Sequence, residues 1–418
     1  MFIIALDIGS YKIKAFLAEI SKNGKSSIID VFQEYSSGIR KGGIVDINEA
    51  SIPLGRIFEK IRIKDKSAVK NIFVNVGGTN IKCQNSRGII AVSRADNEIS
   101  QDDIDRVVKA SQAIKLSPNR MIIHNITREF IIDGINDVRE PLGMSGTRLE
   151  VNSLVIDAFS VNVKNILNLI ESLGGGVSGL VYNPLAASRS ILTKSGKDLG
   201  VALIDIGAGT TSVSVYEEGK LVHAFSFPLG SANITNDLAI GLKCSVALAE
   251  IVKIFFGKAN SSEASAKEKI TLQEIFEKSG FEVSVLDKNF KSSVSARFVA
   301  EVIESRLEEI FEFVNGELKM IDKHGQLPGG AILCGGGAKM PGIIDLAKKE
   351  LKIFSEIGLP ETKGLEIYNK EFENIISEPE FATVAGLLYC GMDQLAKESN
   401  WPIGENFSLK KILKYFMP

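Results

Sequence analysis

The sequence predicts an α/β protein built from two similar lobes that close on one phosphate-rich ligand. Three observations carry that expectation. Ile3-Ile4-Ala5-Leu6-Asp7-Ile8-Gly9-Ser10 and Val201-Ala202-Leu203-Ile204-Asp205-Ile206-Gly207-Ala208-Gly209-Thr210-Thr211 read alike, each an apolar run broken by Asp-Ile-Gly and small residues. After each break the chain turns apolar and alternating again, at Ile13, Ala15 and Leu17 in one copy and at Val213, Val215 and Tyr216 in the other. Each copy is thus a strand, a tight turn carrying one carboxylate, and a returning strand. The length of 418 residues exceeds one typical core and fits two or more packed units.

The elements follow in order. Strand-like runs dominate the start (residues 2–7, 12–20, 28–32 and 72–76), with one helix over 48–61 and a turn at Gly77, Gly78 and Asn80. Residues 85–162 change character and read as a small α+β insertion. There Glu98-Ile99-Ser100-Gln101-Asp102-Asp103 caps a helix running through Val107, Val108 and Ala110 to Ala113. Strand segments at 121–126 and 129–132, a turn-rich stretch at 141–146 and an alternating strand at 149–158 complete it. Residues 163–195 read as helical on both sides of Gly174-Gly175-Gly176, and the second lobe opens near 199. The Ser/Ala/Glu/Lys-rich stretch 258–269 predicts an exposed loop. Over 294–320, Phe298, Val302, Ile303, Leu307, Ile310, Phe311 and Val314 share one helical stripe, assigned to the core.

Composition narrows the function. The apolar fraction of 44% and charged fraction of 24% are those of a soluble globular chain, and a net charge of −2 gives no support to nucleic-acid binding. Cys83, Cys244, Cys334 and Cys390 lie far apart without a Cys-x-x-Cys pair, which fits a reduced cytosolic protein and argues against zinc. His124, His223 and His324 cluster with nothing and read as structural or exposed. The N-terminus lacks the basic start and cleavage site of a signal peptide, and no apolar run reaches the length of a spanning helix, so membrane contact is expected to be peripheral.

The chemistry gathers at the two turns. Asp7 and Asp205 each end a strand, and paired carboxylates across a cleft can hold Mg²⁺ through its waters while the metal neutralises a polyphosphate. Gly9, Gly207 and Gly209 let main-chain N–H groups approach phosphate oxygens. Ser10, Thr210 and Thr211 add hydroxyls, and Lys14 adds a positive charge. A third element, Ala331-Ile332-Leu333-Cys334-Gly335-Gly336-Gly337-Ala338-Lys339-Met340-Pro341, is a buried strand running into three glycines and a helix starting near Pro341. It lets a flat adenosine or a phosphate rest on the main chain. Ala249-Glu250-Ile251-Val252-Lys253 places a Glu and a Lys at i, i+3, suited to a ribose and an adenine edge, or else an ordinary solvated ion pair. Asn183-Pro184-Leu185-Ala186-Ala187-Ser188 and Thr383-Val384-Ala385-Gly386-Leu387-Leu388 are small-residue helices suited to a close crossing between lobes.

In this order the segments resemble the nucleotide-binding core of the actin-like ATPases across essentially the whole chain. Within that superfamily the insertion resembles the FtsA family of bacterial cell-division proteins, through Arg128-Glu129-Phe130-Ile131-Ile132-Asp133-Gly134 and Pro141-Leu142-Gly143-Met144-Ser145-Gly146-Thr147-Arg148-Leu149, with Ile44-Val45-Asp46 and Glu98-Ile99-Ser100 before them. The resemblance implies an α/β, actin-like two-lobed ATPase fold of duplicated ribonuclease H-like domains with an FtsA-type 1C insertion in the first lobe. It implies subdomain 1A at 1–84 with 163–197 and 378–394, 1C at 85–162, 2A at 198–243 with 296–377, and 2B at 244–295. It implies ATP and Mg²⁺ as ligands, bound by the residues above together with Tyr11, Gly335, Gly336, Gly337 and Met340. The implied partners are the FtsZ C-terminal tail, docked on 2B near Arg306, a second copy through 1C and 2B contacts, and other division proteins. Many actin-fold ATPases carry an acidic residue where this chain has Asn183. An amide can orient water but cannot take its proton, so tight binding with slow or absent hydrolysis is expected.

The end of the chain adds a membrane expectation. After a polar linker at 395–406, residues 407–418 place Leu409, Ile412, Leu413 and Phe416 on one helical face and Lys410, Lys411 and Lys414 on the other. A basic amphipathic helix of this kind suits anionic lipid, or alternatively docks on its own core. Together these readings predict a scaffold that tethers FtsZ filaments to the cytoplasmic face of the membrane at the division septum. The alternatives are a PilM-type adaptor of type IV pilus assembly and, further off, a small-molecule kinase of the same fold.

Overall fold

The likeness of the two hairpins extends to whole sheets. The computed structural model describes residues 1–398 apart from 22–25, 266, 281–289, 291–292, 363 and 368. In the first lobe Phe2–Ile8 lies between an antiparallel neighbour, Lys12–Ile20, and a parallel one, Ile72–Val76; Ser26–Tyr35 and Val177–Tyr182 flank that trio. In the second lobe Val201–Ile206 lies between antiparallel Thr211–Glu217 and parallel Ala331–Cys334, flanked by Lys220–Phe227 and Ser355–Ile357. The five-strand order is the same in both. Residues 3–6 and 201–204 are buried on both faces, which is why these strands read as unbroken apolar runs.

The insertion forms its own sheet in the order Lys82–Ala91, Arg148–Phe159, Arg120–Ile132, Ile135–Val138, covered by the helix Gln101–Ser111. Ser100 caps that helix and Asp103 completes a reciprocal capping box. A separate small core of Ile99, Val107, Val108, Phe130, Ile132, Leu149 and Val151 holds the unit together.

Several expectations need correction. The segments at 121–126 and 129–132 are one strand, Arg120–Ile132, whose register shift against Arg148–Phe159 explains the broken alternation. Residues 163–195 are not helical throughout: Val177–Tyr182 is a largely buried parallel strand between two helices, too short for periodicity to show. The insertion's sheet begins at Lys82 and ends at Phe159, so the expected limit of 85 falls inside its own first strand and that of 162 inside the helix Ser160–Ser172 that follows. Leu365–Ile367 pairs in parallel with Ser26–Tyr35, and Ile376 joins the first lobe's core, so the chain recrosses to that lobe near 365, before the expected 378. The helix Ala382–Glu398 takes up the first residues assigned to the linker. Phe298 sits off the core stripe of Ala296–Met320 and is 39% exposed, its place taken by Val299 and Ala300. Within the supposed loop 258–269, Ala259 and Ala264 are buried.

The lobes meet where the helices Asn183–Ile191 and Ala382–Glu398 cross. A Cβ on Gly386 would lie 1.7 Å from the Ala186 carbonyl oxygen, so only glycine permits this approach. Ser190 Oγ donates to Ala382 O across the crossing at 2.7 Å, and Ser188 Oγ lies 2.6 Å from the Tyr216 hydroxyl of the second lobe.

Candidate functional site

The two turns superimpose in kind. Each has four residues between its last paired positions, Ile8 with Ile13 and Ile206 with Thr211. A Cβ on Gly9 would lie 2.6 Å from Lys12 O, and one on Gly207 2.9 Å from Thr210 O, so both turns depend on a missing side chain. The strand ends therefore present Asp7 and Asp205 to one cleft, a cavity of ≈ 440 Å³. That volume is within the usual range for small-molecule and cofactor sites.

The two carboxylates have different surroundings. Asn75 Nδ2 donates to Asp7 Oδ1 at 2.8 Å while its own Oδ1 accepts from Ile8 N at 2.7 Å. Lys14 Nζ lies 3.7 Å from Asp7 Oδ2, donates to Glu380 O at 2.6 Å and stands 5.4 Å from the Phe381 ring centre. Burial raises the Asp7 carboxyl above its ordinary range, and the Lys14 charge opposes that rise. Among the described residues Asp205 has only the Thr383 hydroxyl, at 3.3 Å. Burial, then the negative charge of Asp7, push it up to about 6.

The rest of the lining comes from both lobes. Gly335, at φ +83°, turns the chain out of Ala331–Cys334; a Cβ there would strike Asp205 Oδ1 at 2.3 Å. A short 3₁₀ turn, Gly336–Lys339, follows, and the helix begins at Ile343, two residues later than the proline suggested. Met340 borders the cleft. Glu250 and Lys253 are 2.7 Å apart, and Lys253 is buried, donating also to Thr235 Oγ1 at 2.9 Å and Ser231 O at 3.3 Å. The pair is thus a fixed polar cluster on the cleft wall, not a solvated surface pair. Tyr11 stands edge-on to Tyr35 at 5.5 Å, and burial, then nearby Glu250, push its hydroxyl up to about 12. Asn183 opens its helix against Gly77, where a Cβ would lie 2.7 Å from Asn183 Nδ2. Its Oδ1 is buried without a hydrogen-bond partner among the described residues, an acceptor left for a ligand or a water.

Every residue expected in the nucleotide set lines this cleft except Thr211. Side chains alternate along the returning strand, so Thr211 faces the other way and donates to Leu229 O at 2.9 Å, while Ser212 takes the cleft side. Asn75, Gly77, Ser212 and Thr383 line the cleft too; Asn75 and Ser212 escaped the sequence reading, and Gly77 and Thr383 entered it only as a turn and as the start of a small-residue helix. Asn75 left one signal, a lone amide inside an apolar run just before Gly77-Gly78. Arg306 lies apart on Ala296–Met320, in a shallow depression with Glu301, Val302 and Ser305. It pairs with Asp237 at 2.7 Å and with Glu309. Leu409, Lys410, Lys411, Ile412, Leu413, Lys414 and Phe416 lie outside the described residues. Among the described residues no helix is long and apolar enough to cross a membrane.

Two lobes of one strand order, each ending a central strand with a carboxylate and a glycine turn at a shared cleft, define an actin-like ATPase fold. Solved structures agree: the PilM–PilN type IV pilus biogenesis complex (TM-score 0.63, 16% identity, 93% of this chain and 98% of that one) and MreB5 of Spiroplasma citri bound to ADP (TM-score 0.55, 13% identity, 96% and 98%). At such identities the likeness to PilM is one of fold. The chain belongs to the FtsA family. The family model "Cell division protein FtsA" matches residues 202–386, and "SHS2 domain inserted in FTSA" matches residues 78–157, the 1C-type insertion. Cell division protein FtsA of Bacillus subtilis is 34% identical over 385 residues, 92% of this chain and 82% of that relative.

Proposed function

We propose that the chain is an ATP-binding scaffold of cell division that polymerises and tethers FtsZ filaments to the cytoplasmic face of the membrane. The observation that supports nucleotide binding best is the convergence of Asp7 and Asp205 on one glycine-walled cleft. Mg²⁺ fits there because no cation among the described residues forms an ion pair with Asp205, the Lys14 charge only partly opposing the rise of its carboxyl, and the bound ion would neutralise polyphosphate charge. Gly9 and Gly207 leave room for phosphate oxygens, and the Glu250–Lys253 cluster lies where a ribose or adenine edge can be read. Asn183 orients a water without accepting its proton, so turnover is slow or absent.

Membership of the FtsA family supports the FtsZ tail as partner and self-association as the mode of assembly. The apolar and lysine faces of residues 407–418 support anionic lipid as the anchor. One such tail binds weakly, with about 1 kcal/mol per lysine near acidic lipid, and several along a polymer bind by avidity. Co-sedimentation with anionic vesicles, with and without Mg-ATP and an FtsZ C-terminal peptide, tests the reading. The chain should sediment with vesicles, more so with Mg-ATP, and carry the peptide down. A chain that stays in solution, or sediments equally after deletion of residues 407–418, contradicts it.

A further inference from the structure

The insertion branches from the first lobe yet is tied to the second. Lys220 Nζ, at the start of the outer strand Lys220–Phe227, lies 2.6 Å from Asp137 Oδ1 in the insertion's edge strand. Behind that pair the Cys83 thiol of the insertion meets the main chain of Ala224. A deeper tie runs through Tyr182, which is fully buried and immediately precedes Asn183. Its main-chain N–H donates to His124 Nε2 of the insertion at 2.9 Å, and its hydroxyl lies 2.7 Å from Ser226 Oγ of the second lobe. Ser226 Oγ donates to Ser212 Oγ at 2.8 Å, and Ser212 is the cleft residue paired with Asp205.

The direction of these bonds matters. Because Ser226 spends its proton on Ser212, Tyr182 is the donor to Ser226, and the proton of Ser212 is left for an acceptor other than Ser226. An oxygen of a polyphosphate or of a metal-bound water would complete the chain, and each bond in such a chain polarises the next. His124 accepts at Nε2, so the ring is neutral and carries its proton on Nδ1.

We propose that the Tyr182–Ser226–Ser212 chain and the Lys220–Asp137 pair couple occupancy of the cleft to the posture of the insertion. The proposal rests on the nucleotide reading above. A ligand that engages Ser212 favours the lobe arrangement in which Tyr182 and Ser226 stay bonded. An opening of the lobes parts them and draws Asp137 along with Lys220, which moves the insertion relative to the first lobe. Cleft and insertion are then two sites biasing one pair of lobe arrangements.

Hydrogen–deuterium exchange on the full chain, with and without Mg-ATP, reads both ends in one sample. In the wild type, protection is expected in the turn 205–211 together with a changed exchange rate in the hairpin 129–139. Tyr182→Phe keeps the ring and removes the hydroxyl. It should retain the turn's protection, lose at least half of the hairpin's response, and shift Mg-ATP affinity by about fivefold, the low end of usual coupling. Asp137→Asn should lose a smaller part of the response. Should Tyr182→Phe fold poorly, Ser226→Ala breaks the same chain with a smaller change and the same expected loss. A hairpin response undiminished in these variants overturns the proposal, as does a protected turn beside an unresponsive hairpin in the wild type. No protection of the turn by Mg-ATP overturns the nucleotide reading itself, and the coupling with it.

Discussion

The two aspartate turns are alike in path and differ in the charge that faces each carboxylate. Across the antiparallel pairing Asp7 faces Lys14, whereas Asp205 faces Ser212. On the parallel side Asp7 is held by Asn75, whereas Asp205 lies opposite Cys334, whose thiol burial pushes well above its ordinary range. The first carboxylate is therefore matched by a cation and an amide. The second has a hydroxyl at 3.3 Å and a titration near 6. Duplication of the fold fixed where the carboxylates stand, and the two flanking residues in each lobe decide what each can do. The first lobe supplies a preset wall, and the second supplies a charge that waits for a partner.

That contrast can be broken from either side. The largest effect is expected at Gly335, the glycine that follows the second lobe's parallel strand. A Cβ on Gly335 would lie 2.3 Å from Asp205 Oδ1 and 2.6 Å from Ile206 O at a φ only glycine favours. Gly335→Ala should therefore lower stability by about 3 kcal/mol in denaturant unfolding. Next come the carboxylates. Burial raises both, but Asp7→Asn also leaves Lys14 without its counter-charge, which outweighs the relief of the buried charge and should lower the stability of the ligand-free chain by about 1 kcal/mol. Asp205→Asn removes a disfavoured charge and should raise it by about 1–2 kcal/mol, even as Mg-ATP no longer shifts the melting temperature.

The Asp205 effect carries a pH signature. Its folded value of about 6 stands above the ordinary 3.8. Between about pH 4 and 6 the folded chain thus holds more protons here than the unfolded chain, and this residue weakens the fold as pH rises through that window. The stability gain of Asp205→Asn over wild type should be near zero below about pH 4 and complete by about pH 7. The smallest effect is at Gly77, the first lobe's counterpart of Gly335. A Cβ there meets only the amide end of Asn183. Gly77→Ala should cost less than about 1 kcal/mol, while moving that amide and altering any residual phosphate release.

Much of this was legible in the sequence because it rests on short-range pattern. The two Asp-Ile-Gly turns, the capped helix of the insertion and the strand entering Gly335 each announce themselves within a dozen residues. The asymmetry between the lobes was not legible. Lys14 and Ser212 occupy one register position, but only the pairing of strands reveals it. Thr211 looked like a ligand hydroxyl because a string shows neither which face a strand presents nor where the turn ends. Val177–Tyr182 escaped for the opposite reason, since a strand buried on both faces has no period to detect. Thr383 and Glu380 reach the site from the far end of the chain, a separation no local pattern spans.

The most direct test is calorimetric titration of preformed Mg-ATP into the protein at pH 6 in two buffers of different ionisation enthalpy. A carboxyl titrating near 6 that becomes charged on binding should release about half a proton, and Asp205→Asn should abolish both the release and tight binding. Binding without proton release, or equally tight binding by Asp205→Asn, would show that the second lobe's carboxylate does not wait for the ligand's cation.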